Sequence, residues 1–252
     1  MKNRIITAIA TLFVCSHQLP AQTLEVQHLS NNNAIVRFSP KQEARYLLIP
    51  IEEKSPESKI KVICGNSLAR TLDVHLAFDK VDYFVPFDLQ EWQGEDVKLL
   101  IHLPVDRTNG REPQSEICWS KMILSDSFDK TNREKFRPTY HHTPEYAWMN
   151  DPNGMFYLNG EWHLYYQWGP YGSVWNNMTW GHSVSRDLVN WEHRNPAIMP
   201  DALGAIFSGS CVVDHNNTAG FGKDAVIALY TSAGEVQSQS LAYSLDGGNS
   251  FT

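Results

Sequence analysis

From residue 23 to about 125, apolar positions recur in short runs, many of them alternating with polar ones. The runs "AIVRFSP", "RYLLIPI", "KIKVICG", "LDVHLAF", "DYFVPFDL" and "DVKLLIHLPV" are rich in β-branched and aromatic residues. Clusters of Asn, Pro, Gly and Ser such as "SNNN" and "EKSPES" separate them. Alternation sends every second side chain to one face, so these runs predict strands with one buried face. Several short strands at this spacing predict a β-sandwich-like module over 23–125. No catalytic set of side chains is visible in it, and a packing role is expected ahead of a carbohydrate-contacting one.

The pattern lapses over 126–147, a polar, charged and then Pro-interrupted stretch that reads as a linker into a second domain. The adjacent His141 and His142 within it have no Asp, Glu or His partner at metal-ligand spacing, so they are expected in a loop packed beside the site. From 148 the alternation returns. "MFYL" and "EWHLYYQW" flank Asn159-Gly160, a hairpin signal because both residues accept positive φ. "TWGHSVS" and "VNWEHR" follow around "RDL", then "AIFSGSCVVD", "AVIALYTSA" and "QSLAYSLDGGNSF", with a turn at Asp246-Gly247-Gly248. Two successive units of three to four antiparallel strands are the sequence shape of a β-propeller. Two units do not close a propeller, so the chain is expected to stop in mid-fold.

Residues 1–22 break from the alternating pattern. Lys2 and Arg4 precede an apolar segment from Ile5 to Cys15, too short to span a bilayer, and "LPAQ" follows. This predicts a signal peptide cleaved near Ala21 or Gln22, and an exported protein, periplasmic or extracellular. Lipidation of Cys15 is the lesser alternative, because the bulky Phe13-Val14 stand where small residues are usual. No later segment predicts a transmembrane helix.

Composition narrows the class. The 252 residues are 42% hydrophobic and 19% charged, which is globular rather than disordered. A net charge of −7 argues against a nucleic-acid partner and gives no reason to bind anionic membranes. Eight Trp suit the stacking of aromatic rings on sugar faces, and they suit core packing equally. Beyond the leader, Cys64, Cys118 and Cys211 form no metal motif. A Cys64–Cys118 bridge and three buried thiols are both open. Neither a metal nor a cofactor is expected.

The chemistry concentrates in "WMNDPNG", 148–154. Pro152 cannot donate to a strand ladder and Gly154 permits a sharp turn, so Asp151 is expected at the head of a strand rather than inside it. Trp148, Trp175 and Trp180 would wall it from water. An Asx-turn, in which Asp and Asn only cap their own backbone, explains the local motif as well.

The wider set of "WMNDPNG", "YYQWGP", "WNNMTWGHSVSRDLVNWEH" and "IFSGS" closely resembles glycoside hydrolase family 32, which includes invertases, levanases and inulinases. The lead-in "FRPTYHHTPEYAWMNDPNG" is similar to the family's own, and the first module resembles in placement an extra β-domain of some bacterial levanases. The resemblance implies an all-β chain, with the first blades of a five-bladed propeller over 148–252. It implies retaining hydrolysis of β-fructofuranosides in fructans or sucrose, without cofactor. Asp151 would be the nucleophile. Trp148, Asn150, Gln167, Trp175, Phe207 and Ser208 would line the fructose pocket. The family's Arg-Asp-Pro and Glu-Cys motifs, which carry the transition-state stabiliser and the acid/base, do not occur; Arg186-Asp187 is followed by Leu188. Residues 1–252 alone are therefore expected to be inactive. A non-catalytic fructan-binding protein, or the remnant of a broken gene, is the alternative; an arabinanase-like enzyme fits the motifs less well.

Overall fold

The computed structural model describes residues 24–30, 32–41, 43–104, 116–130 and 135–252; the predicted leader and Cys15 lie outside this range. Among the described residues the chain is all-β apart from two short helical turns. The first part contains β1 (Glu25–Ser30), β2 (Asn33–Phe38), β3 (Tyr46–Ile51), β4 (Ser58–Cys64), β5 (Ser67–Val74), β6 (Tyr83–Asp88), β7 (Val97–His102) and β8 (Ile123–Ser125). They form two antiparallel sheets, ordered β1-β2-β7-β4-β5 and β6-β3-β8. Alternation holds where the sequence predicts it. Ala34, Val36 and Phe38 of β2 turn inward, as do Ile60 and Val62 of β4 between exposed Lys59 and Lys61. Leu47, Ile49 and Phe87 from the smaller sheet meet them, and the two inner faces make one core, as in a sandwich. A helical turn, α1 (Glu116–Ser120), which the alternation did not signal, buries Cys118 and Trp119 against this core.

Cys64, Cys118 and Cys211 are all free thiols, so the bridge considered above is not formed. Cys118 is buried, whereas Cys64 and Cys211 are partly exposed.

The second part holds two antiparallel meanders. The first runs through β9 (Trp148–Leu158), β10 (Glu161–Gly169), β11 (Thr179–Ser185) and β12 (Glu192–Ile198). The second is β13 (Ala205–Asp214), β14 (Ala225–Ala233) and β15 (Gln237–Ser244). Asn159 and Gly160 turn β9 into β10 with φ of 53° and 88°, the positive pair the hairpin requires. The β11–β12 turn is longer than expected, with β12 opening at Glu192. The Asp187 carboxylate accepts from the backbone N–H groups of Val189 (2.9 Å) and Asn190 (2.7 Å), which holds the chain in an extended turn. Phe156, Tyr165 and Trp180 of the first meander pack on Ile206, Val226 and Tyr230 of the second. The sheets therefore stack face to face, as successive propeller blades do.

The 126–147 segment is no free tether. Its Tyr146 carbonyl accepts from Trp168 Nε1 (3.0 Å), and Lys130 pairs with Glu145 (2.7 Å). His142 Nε2 hydrogen-bonds with Ser183 Oγ (2.9 Å), which also hydrogen-bonds with His193 Nδ1 (3.0 Å). One layer away, His163 Nδ1 and His182 Nε2 share a hydrogen bond of 3.0 Å. Among the described residues no group of His, Cys, Asp and Glu is arranged to hold a metal ion.

Burial, reinforced for His142 by the nearby His193 and for His182 by His163, pushes His142 down to about 4 and His182 down to about 3. It also lowers His163 and His193. A histidine with a depressed folded pKa stays neutral while its unfolded counterpart takes up a proton below about 6.5. The stability these histidines contribute is present above that pH and is lost as pH falls toward 4 and 3. A Tm measured from pH 7 to pH 4.5 should fall by roughly 5 °C or more. His142→Gln, which can still bond Ser183 but cannot titrate, should flatten the slope.

Candidate active site

β9 and β13 are the strands of the two meanders that meet, and each is interrupted by a bulge at the meeting point. In β9, Met149 pairs with Trp168 and Pro152 with Tyr166, so Asn150 and Asp151 together oppose Gln167. In β13, Ile206 pairs with Ser232 and Gly209 with Tyr230, so Phe207 and Ser208 together oppose Thr231. A bulge bends its strand and re-aims the extra side chain, a device common beside active sites. Asp151 therefore lies inside β9, at a bulge, rather than at the head of the strand as its Pro-Asn-Gly context suggested.

The two bulges face each other. Ser208 Oγ donates to Asp151 Oδ2 at 2.9 Å across the sheets, and Asn150 Nδ2 donates to Asp151 Oδ1 at 3.2 Å. Trp148 Nε1 donates to Asn150 Oδ1 at 2.9 Å, which fixes the amide so that its NH₂ points at the carboxylate. Both donors favour the charged form, Asn150 first and Ser208 second, and hold the Asp151 carboxyl below the usual carboxylate range. Asp151 itself is exposed and is not shielded from water as its aromatic neighbourhood suggested.

Behind the bulges, buried donors lock the sheets in register. Gln167 Nε2 donates to the Ile206 carbonyl and Trp180 Nε1 to the Phe207 carbonyl, each at 3.0 Å. Ile206 N–H donates to the Met178 carbonyl at 2.8 Å. Gln167 is 2% exposed and Trp180 fully buried, so both stand beneath the site, and Trp180 is not one of its walls. At the surface, Trp175 is 52% exposed and meets the Phe207 ring edge-on, with centroids 5.9 Å apart. Hydrogen bonds thus join Trp148, Asn150, Asp151 and Ser208, Phe207 precedes Ser208 and meets Trp175, and Gln167 is buried behind them. Asn153, not singled out in the sequence, braces the β9 bulge by donating from Nδ2 to the Asp151 carbonyl (3.4 Å). Its signal lay in the same Asn-Asp-Pro-Asn knot. Arg186-Asp187 sits in the β11–β12 turn, where Asp187 is occupied with backbone N–H groups.

Gly154 explains why the knot ends in glycine. Its φ is +58°, and a Cβ there would meet the Tyr165 ring at 2.8 Å and both Cys211 Sγ and Trp180 at 3.1 Å. Gly154→Ala should lower Tm by several degrees, because it adds backbone strain to overpacking in the core under the site.

A chain built this way joins two kinds of segment. Residues 141–252 match the glycosyl hydrolases family 32 N-terminal domain, and residues 30–140 match a domain of unknown function (DUF4980). The chain is 58% identical to a levanase of Bacillus subtilis (strain 168) over 123 residues, covering 47% of this chain and 18% of the levanase. It is 40% identical to an extracellular exo-inulinase of Aspergillus awamori over 162 residues, covering 56% of this chain and 30% of that enzyme. The solved fructofuranosidase from Schwanniomyces occidentalis complexed with fructose matches at 47% identity and a TM-score of 0.44, over 46% of this chain and 25% of that one. The chain spans less than a third of the length of each of these relatives. Residues 141–252 are thus similar to the N-terminal domain of glycosyl hydrolases family 32.

Proposed function

We propose that the protein to which these residues belong is an exported hydrolase of β-fructofuranosidic bonds in fructans or sucrose, with Asp151 as its nucleophile. The observation that carries this reading is the ionised, exposed Asp151 carboxylate held at a bulge between two hydrogen-bond donors. An Asx-turn would spend that carboxylate mainly on its own backbone, as Asp187 does; the main partners of Asp151 are the side chains of Asn150 and Ser208. The levanase, exo-inulinase and fructofuranosidase relatives support the choice of substrate class.

In this mechanism an Asp151 oxygen attacks the anomeric carbon of the fructosyl unit, and a carbon–oxygen bond forms as the glycosidic bond breaks. The leaving oxygen takes a proton from a general acid. Water, deprotonated by the same group, then attacks that carbon and frees Asp151, so configuration is retained. The Asn150 and Ser208 donors keep Asp151 ionised, Trp175 and Phe207 offer an apolar wall to the sugar, and Trp148 orients Asn150. No second carboxylate is among the hydrogen-bond partners of the site within the described residues. The Arg-Asp-Pro and Glu-Cys motifs, which the family resemblance links to the transition-state stabiliser and the acid/base, do not occur in residues 1–252. The segment 148–252 serves as the opening part of the catalytic propeller, 126–147 as its lead-in and 23–125 as an accessory module. The leader, residues 1–22, would direct export to the periplasm or the exterior.

The test is release of fructose from levan, inulin or sucrose by the complete protein, with the anomeric form of the first product followed by NMR. Initial release of the inverted anomer would overturn the role given to Asp151. A polypeptide of residues 1–252 alone is expected to release none, since it would lack a general acid worth about 10²–10⁴-fold. In the complete protein, Ser208→Ala removes one donor from Asp151, so its pKa rises. Activity needs the charged form and falls away as pH drops through that pKa. The acidic limb of kcat/KM should therefore move to higher pH. An unmoved limb would detach Ser208 from the nucleophile.

A further inference from the structure

The loop from 170 to 178, between β10 and β11, does not stay with its own sheet. It runs into the N-terminal sandwich, where four of the residues around Trp175 are held. Tyr171 is 6% exposed and belongs to the sandwich core, with its ring 6.0 Å from that of Phe87. Ser173 Oγ donates to Glu53 Oε2 at 2.6 Å, and Asn176 Nδ2 donates to Glu57 Oε2 at 2.7 Å. Asn177 binds β5, the outer strand of the larger sheet: its Oδ1 accepts from Asp73 N–H at 2.9 Å and its Nδ2 donates to the Asp73 carbonyl at 2.7 Å. One side-chain amide thus reproduces the donor–acceptor pair that a neighbouring strand would supply. Asn177 has a φ of 52°, a conformation asparagine accepts more readily than most residues, and it turns the loop back toward β11.

Trp175 lies between these anchors and makes no hydrogen bond to the sandwich among the described residues. Its ring instead reaches Phe207, whose neighbour Ser208 bonds Asp151. An exposed loop held only at its two ends would sample many ring positions and would have to order when a sugar bound. Here four contacts to another module hold it in one.

We propose that the N-terminal sandwich is a positioning module. Through Asp73, Glu53, Glu57 and the socket for Tyr171, it clamps the 170–178 loop and so sets Trp175 against the sugar at the mouth of the fructoside site. Asn177 and Glu57 are its positioning residues; neither touches the reacting atoms. The inference rests on the reading of the site as a fructoside pocket with Trp175 in its wall.

The test uses the complete protein and an inulin or levan oligosaccharide. Asn177→Ala and Glu57→Ala should each raise KM by about three- to tenfold, with kcat within about twofold. Glu57→Gln keeps an acceptor oxygen for Asn176 and should restore most of the loss. Trp175→Ala should raise KM at least as far, and Asn177→Ala added to it should bring little further change, because both act through one ring. Acrylamide quenching, taken as the difference from Trp175→Phe, should show Trp175 more accessible in Asn177→Ala. A lowered Tm with unchanged KM and unchanged quenching would make the contacts merely structural and overturn the clamp. Additive effects of Asn177→Ala and Trp175→Ala would overturn the route through Trp175. If the unmodified protein hydrolyses and binds no fructoside, the functional reading falls instead; the clamp is then decided by the quenching, and unaltered accessibility in Asn177→Ala overturns it.

Discussion

Asp151→Asn is expected to lower kcat for fructoside hydrolysis in the complete protein by at least about 10⁴-fold while leaving sugar affinity within a few-fold. Asparagine has the shape of aspartate but no oxygen able to form an ester with the anomeric carbon. The surroundings tolerate the exchange. Asn150 Nδ2 can still donate to the remaining oxygen, and the Ser208 hydroxyl, which now donates, can turn to accept from the new amide. The bulge that presents residue 151 is set by backbone pairing with Tyr166 and Trp168, which the substitution leaves alone. Turnover, calorimetric binding of fructose and Tm therefore separate three outcomes. Lost turnover with retained binding and Tm supports the nucleophile. Retained turnover refutes it. Parallel loss of binding and turnover would make Asp151 a binding group only.

The second large effect concerns stability. Gly209→Ala should destabilise the domain by about 3 kcal/mol, a fall in Tm of roughly 6–12 °C, and should lower activity with it. A Cβ at Gly209 would lie 2.0 Å from the Leu229 carbonyl oxygen and 2.9 Å from Tyr230 Cα. These are backbone atoms of the neighbouring strand β14, and no rotamer change can move them aside. Gly209 closes the Phe207–Ser208 bulge, so forcing the strands apart there would also draw Ser208 from Asp151. Gly172→Ala is the control. Nothing lies within 4 Å of its Cβ position, and it should be close to neutral. Equal stability of the two variants would refute the steric argument.

Much of the architecture could be read without coordinates, because it depends on neighbours in sequence. Period-two alternation located β2 to β4, β6, β7, β10, β11 and β13 to β15 to within a few residues, since the face a strand buries is decided by its own side chains, whereas β5 and β9 begin well ahead of the runs that signalled them. The Asn159-Gly160 and Asp246-Gly247-Gly248 turns were equally legible, because positive φ is a property of the residues that adopt it. The missed pieces have local causes of another kind. Helix α1 is too short for a helical period to show, and the late start of β12 depends on where the Asp187 side chain bonds.

The site divides in the same way. The chemistry proposed for it rests on what the sequence shows, a carboxylate in a polar knot among aromatics and the motifs that resemble family 32. Its geometry was not visible there. Alternation assigns a strand to a face but cannot show where one strand gains a residue on its partner, and the two facing bulges are gains of that kind. The Ser208–Asp151 bond spans 57 residues, and the Asn177–Asp73 bonds span 104. Such pairs form only when separate sheets pack, and no local propensity encodes them. The sequence by itself determined most of the strands and singled out the carboxylate proposed as the nucleophile. Only the tertiary structure decided that Asp151 is exposed and charged at a bulge, and that the N-terminal sandwich holds the loop bearing Trp175. Those outcomes depend on burial and on contacts between surfaces that are distant along the chain.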